Sequence, residues 1–237
     1  DGEAADDESG TSVSISSDGN TVIIGAPKND RTGFVNTDNG GHARVYHYNG
    51  STWNKIGQDL DGENNGDHFG GDVSINNNGS IVAVSSLGNS GSGQGSMGHV
   101  RIYQYDGSSW AQLGTDIDGE NDWDQSGCSI SLSSDGNTVA IGANGNDGNE
   151  QDAGHVRVYN WDGSSWNKIG EDIDGEAADD HSGQSVSISS NGTIVAIGAN
   201  ANDDNGSNSG HVRVYNWDGS SWNKIGEDID GEATGDQ

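Results

Sequence analysis

Gln184-Ser-Val-Ser-Ile-Ser189, Ser190-Asn-Gly192 and Thr193-Ile-Val-Ala-Ile-Gly-Ala199 follow one another without a break. Val186 and Ile188 alternate with serines, the period-two rhythm of a strand with one apolar face. Asn191-Gly192 makes a turn, and the apolar, β-branched run after it reads as a second strand covered on both faces. Further along, Asn200 to Ser209 is a loop rich in Asn, Asp, Gly and Ser. Gly210-His-Val-Arg-Val-Tyr-Asn-Trp217 alternates again as a third strand, Asp218-Gly219 turns the chain, and Trp222-Asn-Lys-Ile-Gly226 supplies a fourth. No segment shows helical periodicity, so the chain reads as all-β.

Beyond the fourth strand comes an acidic motif, Asp-x-Asp-Gly-Glu with another Asp four residues on. It occurs at Asp59, Asp61, Glu63, Asp67; at Asp116, Asp118, Glu120, Asp124; at Asp172, Asp174, Glu176, Asp180; and at Asp228, Asp230, Glu232, Asp236. A truncated copy, Asp1, Glu3, Asp7, opens the chain, and the steps from Asp1 through Asp61, Asp118 and Asp174 to Asp230 are 60, 57, 56 and 56 residues. The units are residues 1–60, 61–117, 118–173 and 174–229, with 230–237 the start of a fifth repeat or an overhanging, closing segment. Four short antiparallel strands in such a unit make a β-propeller-type blade.

At Phe69-Gly70, before the first strand of the second unit, and at Gly25-Ala26-Pro27, ending the second strand of the first, the chain resembles the FG-GAP repeats of integrin α-subunit propellers. The Phe is replaced by Ser9, Ser126 and Ser182 in the other units, and Pro27 by Leu87, Asn144 and Asn200. This resemblance implies an extracellular propeller used in adhesion or ligand binding, with calcium held in some blades between the first and second strands. Here those hairpins, such as Ser16 to Asn20 and Ser190 to Gly192, are too short to enclose that ion.

A formal charge of −29, from 38 acids against 9 bases, excludes nucleic acid and insertion into anionic membranes, and calls for cations or basic partners. The acidic motif offers oxygen ligands at relative positions 1, 3, 5 and 9, hard donors in a tight loop that suit Ca²⁺. The other reading is a solvated turn in which Asp-Gly reverses the chain. The motif lacks the EF-hand pattern, because its glycine stands at position 4.

A second set recurs as His42-Arg44-Tyr46, His99-Arg101-Tyr103, His155-Arg157-Tyr159 and His211-Arg213-Tyr215, each on one face of a third strand. Either these line up as anion or glycan contacts, or each Arg pairs with an acid of a neighbouring loop while its stem and the Tyr pack between units. Trp53, Trp110, Trp166 and Trp222 are similarly open to inter-blade packing or carbohydrate stacking. Trp123 breaks the repeat and is a candidate for a specific ligand contact. No nucleophile elbow, phosphate loop or zinc spacing is present, and the single Cys128 allows no internal disulfide. The expectation is an extracellular, calcium-stabilised structural or adhesive protein whose partners are other copies or neighbouring repeats. Its alternative is a discrete module binding glycans or a cell-surface protein, and a glycan-active enzyme stands third.

Overall fold

The computed structural model describes residues 2–30, 38–90 and 95–235; Asp1 and Asp236 of the acidic motifs lie outside them. Four antiparallel sheets follow one another along the chain. The first holds β1 (Val13–Ile15), β2 (Thr21–Ala26), β3 (His42–Tyr48), β4 (Trp53–Lys55) and β5 (Leu60–Asp61). The second holds β6 (Phe69–Ile75), β7 (Ile81–Ser86), β8 (His99–Tyr105), β9 (Trp110–Gln112) and β10 (Ile117–Asp118). The third comprises β11 (Ser129–Leu132), β12 (Thr138–Ala143), β13 (His155–Trp161), β14 (Trp166–Lys168) and β15 (Ile173–Asp174). The fourth comprises β16 (Ser182–Ile188), β17 (Ile194–Ala199), β18 (His211–Trp217), β19 (Trp222–Lys224) and β20 (Ile229–Asp230). The fold is the expected β-propeller type, and among the described residues no helix is long and apolar enough to cross a membrane.

Each sheet has four positions but five segments, because the outer strand comes in two pieces. In the first sheet both β4 and β5 pair with β3, at Tyr46 to Tyr48 and at His42 to Ala43 respectively. Between the pieces sits Gly57, with φ of 71°. Such a backbone angle is available to glycine at little cost and interrupts the ladder. The acidic motif therefore begins inside the sheet, with Asp61 opposite His42, and only its second half is a connection between units.

The inner hairpins are tight. Gly19 N–H donates to Ser16 O, and the Asp18 carboxylate accepts from Ser16 Oγ and Asn20 N–H, which closes the turn through side chains. These turns are also joined from sheet to sheet: Ser17 N–H donates to Asn77 O, Asn77 N–H to Ser134 O and Ser134 N–H to Ser190 O, each at 3.0 Å. The first strands thus gather around one centre.

The core is divided among the three joints. Ile23, Val45 and Leu60 of the first sheet pack on Val73, Val82 and Val84 of the second. Ala83, Ile102 and Ile117 meet Ile130, Val139 and Ile141, and Val156, Val158 and Ile173 meet Ile188, Val195 and Ile197. Both faces of a middle sheet are buried, which is why consecutive residues of its second strand, Ile81 to Val84 and Val139 to Ile141, are apolar.

Candidate functional site

The recurring acids, arginines and indoles assemble at these joints. In the second sheet Arg101, 5 % exposed, donates through Nε and Nη2 to Asp116 Oδ1 and Oδ2 at 2.9 and 2.7 Å. The same Nη2 reaches Glu63 of the preceding motif at 2.6 Å. Arg157 is held between Asp172 and Glu120, Arg213 between Asp228 and Glu176, and Arg44 between Asp59 and Glu3. Position 1 of each motif thus binds the Arg of its own sheet, and position 5 binds the Arg of the next. Burial pushes the Asp59 carboxyl up, but hydrogen bonds from Arg44 and Lys55 outweigh it and hold the group at about 2.

The four carboxylates of one motif therefore serve different partners. Position 9 is buried: Asp67 accepts from the backbone N–H of Glu63 and Asn64 at 3.0 and 2.7 Å. Asp7 accepts from Ala4 N–H, Asp124 from Asn121 N–H, and Asp180 from Ala177 N–H. Position 3, at Asp61, Asp118, Asp174 and Asp230, is exposed, and no hydrogen bond or ion pair forms at these carboxylates among the described residues. Although Asp61 is exposed as a residue, the protein packed around its carboxyl, and then the nearby Asp59 charge, push that group above its usual range. Glu232 is exposed.

Acids and histidines do converge within 4.8 Å as Glu120, His155 and Asp172, as His99, Asp116 and Asp118, and as Glu176, Asp204, His211 and Asp228. Two of these groups combine acids of two successive motifs with a third-strand His, the larger adding Asp204 of a loop, and Arg157 and Arg213 bind acids of those two; His99 meets two acids of one motif. The guanidinium is the cation at their centre. Burial, and then Arg101, keep the His99 ring below its usual pKa, and burial does the same for His42 and His155.

The indoles act across the joints. Trp110 Nε1–H donates to Ile56 O at 3.0 Å, Trp166 to Leu113 O at 2.8 Å and Trp222 to Ile169 O at 2.9 Å. Each sits against the glycine that interrupts the preceding outer strand, at Gly57, Gly114 or Gly170. Trp123 is 64 % exposed with φ of 75°, its ring lying over Gly95. Cys128 donates its thiol to Gly183 O at 3.2 Å, another joint contact, and burial pushes it up to about 11.

One recurring group escaped the sequence reading. Asn29, Asn89, Asn146 and Asn202 are all buried, each three residues past the end of a second strand. Asn146 and Asn202 donate through Nδ2 to Asp124 and Asp180 at 3.0 and 3.1 Å, tying the loop after the second strand to the acidic motif. The signal was an Asn at constant offset inside loops that otherwise vary.

The solved structures that the chain resembles include a protein assigned as a 6-phosphogluconolactonase from Bacteroides uniformis. It is 13% identical, with a TM-score of 0.59 over 92% of this chain and 54% of that one. A periplasmic gluconolactonase of Pseudomonas aeruginosa is 15% identical, with a TM-score of 0.57 over 93% and 57% of the two chains. Hydrazine synthase of Kuenenia stuttgartiensis is 13% identical, with a TM-score of 0.56 over 97% and 51%. At such identity the likeness is one of fold, and the chain spans about half the length of the structures it matches. No curated protein matches the chain. The FG-GAP repeat model matches residues 1–46 and 173–215, most of the first unit and of the last, so FG-GAP repeats are recognised in those two stretches.

Proposed function

We propose that the chain is an extracellular structural or adhesive repeat module whose chemistry serves the stacking of one blade on the next. The observation that carries this reading is the Arg clamp: in every unit the third-strand Arg joins an acid of its own sheet to an acid of the preceding motif. A ligand site would be expected to differ between units, whereas a joint must be the same in each.

Calcium is proposed as the counter-ion for the remaining acids. Supporting it are the charge of −29 and the exposed Asp61, Asp118, Asp174 and Asp230, which form no ion pair among the described residues. The acids of a single motif do not fit one calcium centre on their own, because Arg and backbone N–H groups hold three of the four positions. Melting in millimolar Ca²⁺ and in chelator checks this: a rise with calcium supports the proposal, and identical curves end it. Binding of the labelled chain to cell surfaces tests adhesion separately.

Glycan binding is the second reading, favoured by a cavity of about 300 Å³ that brings Arg44, Tyr46 and Trp53 together on the first sheet. A glycan array without signal counts against it. The lactonase names of two neighbours are not carried over, since at 13% and 15% identity the likeness is one of fold.

A further inference from the structure

The three internal joints are alike in detail, and the outer faces of the first and fourth sheets are the two unmatched halves of the same joint. Val13 and Ile15 on β1 are 63 % and 58 % exposed, whereas their counterparts Val73 and Ile75 are 4 % and 8 %. On the other face Ile229 is 62 % exposed, against 2 %, 6 % and 6 % for Leu60, Ile117 and Ile173.

The polar half-contacts match as well. At the internal joints Ile75 N–H donates to Ser14 Oγ, Leu132 N–H to Ser74 Oγ and Ile188 N–H to Ser131 Oγ, at 3.2, 3.0 and 3.1 Å. The counterparts left over are Ile15 N–H on the first sheet and Ser187 Oγ on the fourth. Trp110, Trp166 and Trp222 each reach a carbonyl of the preceding outer strand, which leaves Trp53 on the first sheet and Ile225 O on the fourth. Gly57, Gly114 and Gly170 are each covered by a Trp, whereas Gly226 has nothing within 4 Å. Gly10 also has nothing within 4 Å, yet its φ of 98° repeats the 92°, 92° and 88° of Gly70, Gly127 and Gly183, which pack into internal joints.

We infer that the first-sheet face of one copy of this chain docks on the fourth-sheet face of a second copy, head to tail, reproducing the internal joint. The inference rests on the structural reading above and names its partner. It commits to a second copy because the only surfaces shown to fit these faces are those the chain itself carries, and because the pairing continues an established interface residue by residue. Two copies also approximate the length of the solved structures, of which one copy spans 51% to 57%. The faces differ, so the contact is heterologous, closing into a ring if the rotation allows and extending otherwise. Glu3 already stands beside Arg44, and Glu232 of the incoming copy is its counterpart. Residues 2–6 and 231–235 are copies of the same connection, so one of these segments holds Arg44 in the joint and the other is displaced to solvent.

The test is light scattering and sedimentation on the full chain and on Ile15→Lys and Ile229→Lys, single changes at sites exposed within one copy. The wild type is expected at twice the mass of one copy or more. Each variant is expected to associate on the order of 100-fold more weakly, because a lysine would be buried in the joint without a partner. Mixing the two variants restores one intact joint, between the unaltered first-sheet face of Ile229→Lys and the unaltered fourth-sheet face of Ile15→Lys. A one-to-one dimer in the mixture, with melting of each variant unchanged under dissociating conditions, supports the inference. A wild type that stays a single copy at high micromolar concentration overturns it, as do variants that associate like the wild type or a mixture that gives no dimer. A single-copy chain that still melts higher in calcium would leave the proposed function standing and remove only the second copy.

Discussion

Arg101 and Asp116 form a two-bonded pair at the outer edge of the second sheet, with Nε and Nη2 at 2.9 and 2.7 Å from the two carboxylate oxygens. The Arg is 5 % exposed, so removing its partner leaves a buried charge with only Glu63 to meet it, and Glu63 has a side chain 56 % exposed. Asp116→Asn is expected to destabilise the fold by about 3 kcal/mol, and Glu63→Gln by less than about 1 kcal/mol. Urea unfolding of the two variants reads the difference. Equal losses would mean that the two arms of the clamp are equivalent, contrary to this account.

Trp110 and Trp53 occupy the same place in successive units but differ in burial, at 3 % and 47 % exposed. Trp110→Ala removes a packed indole and the hydrogen bond to Ile56 O, and is expected to cost about 4 kcal/mol. Trp53→Ala, at a dilution where the chain is a single copy, is expected to cost less than about 1.5 kcal/mol, because its ring rests mainly on Tyr48. A comparable loss at both sites would contradict the joint described above.

The succession of strands and the joint roles offered for Arg and Trp could be read from the residues because alternation and turn chemistry are local. Val186 and Ile188 alternate whatever surrounds them, and Asn191-Gly192 turns the chain on its own. The partners of Glu63 could not be read, because its contact with Arg101 crosses from one unit to the next and leaves no mark in spacing. The acidic motif looked like one ligand set because its four acids are near in sequence. In space a strand pair holds Asp61 at the sheet edge, Asp59 turns to Arg44, and Asp67 folds back under its own loop. Interruption of the outer strand was hidden for a similar reason: Gly57 reads as the end of a strand, while the ladder resumes at Leu60.

Gly142 lies where the third and fourth sheets touch, and a Cβ there would collide with Gly183 O and stand 2.6 Å from Ser129 Oγ. The hydroxyl can rotate, but the carbonyl belongs to the backbone of the next sheet and accepts from Ser129 Oγ at 2.8 Å. Gly142→Ala is therefore expected to destabilise by about 3 kcal/mol through overpacking. Gly198→Ala, its counterpart in the fourth sheet, meets only the side chain and backbone of Ser185 and should cost less. Thermal melting of the pair decides, and a milder effect at Gly142 than at Gly198 would count against the joint.

His42, His99 and His155 set the response to mild acid. Burial is the main cause that holds each ring below its ordinary pKa of 6.5, so between that value and the lower folded one the unfolded chain binds more protons than the folded one. Stability contributed by these neutral rings is full above about 6.5 and declines as the pH falls below it, at a limiting slope of about 1.4 kcal/mol per pH unit for each ring. Asp59 acts later and in the same direction: its folded value of about 2 lies below the ordinary 3.8, so its contribution is lost only as the pH falls through that lower range. Asp61 and Asp124, raised by burial first, work the opposite way, favouring the fold as they take up protons. Melting is expected to drop between pH 7.5 and 5.5, with the ring-proton signals of the three histidines titrating below 6.5 in NMR spectra. A ring among them that titrates at or above 6.5, or a melting temperature that holds steady across that interval, would show that the histidines are not kept neutral by the joints.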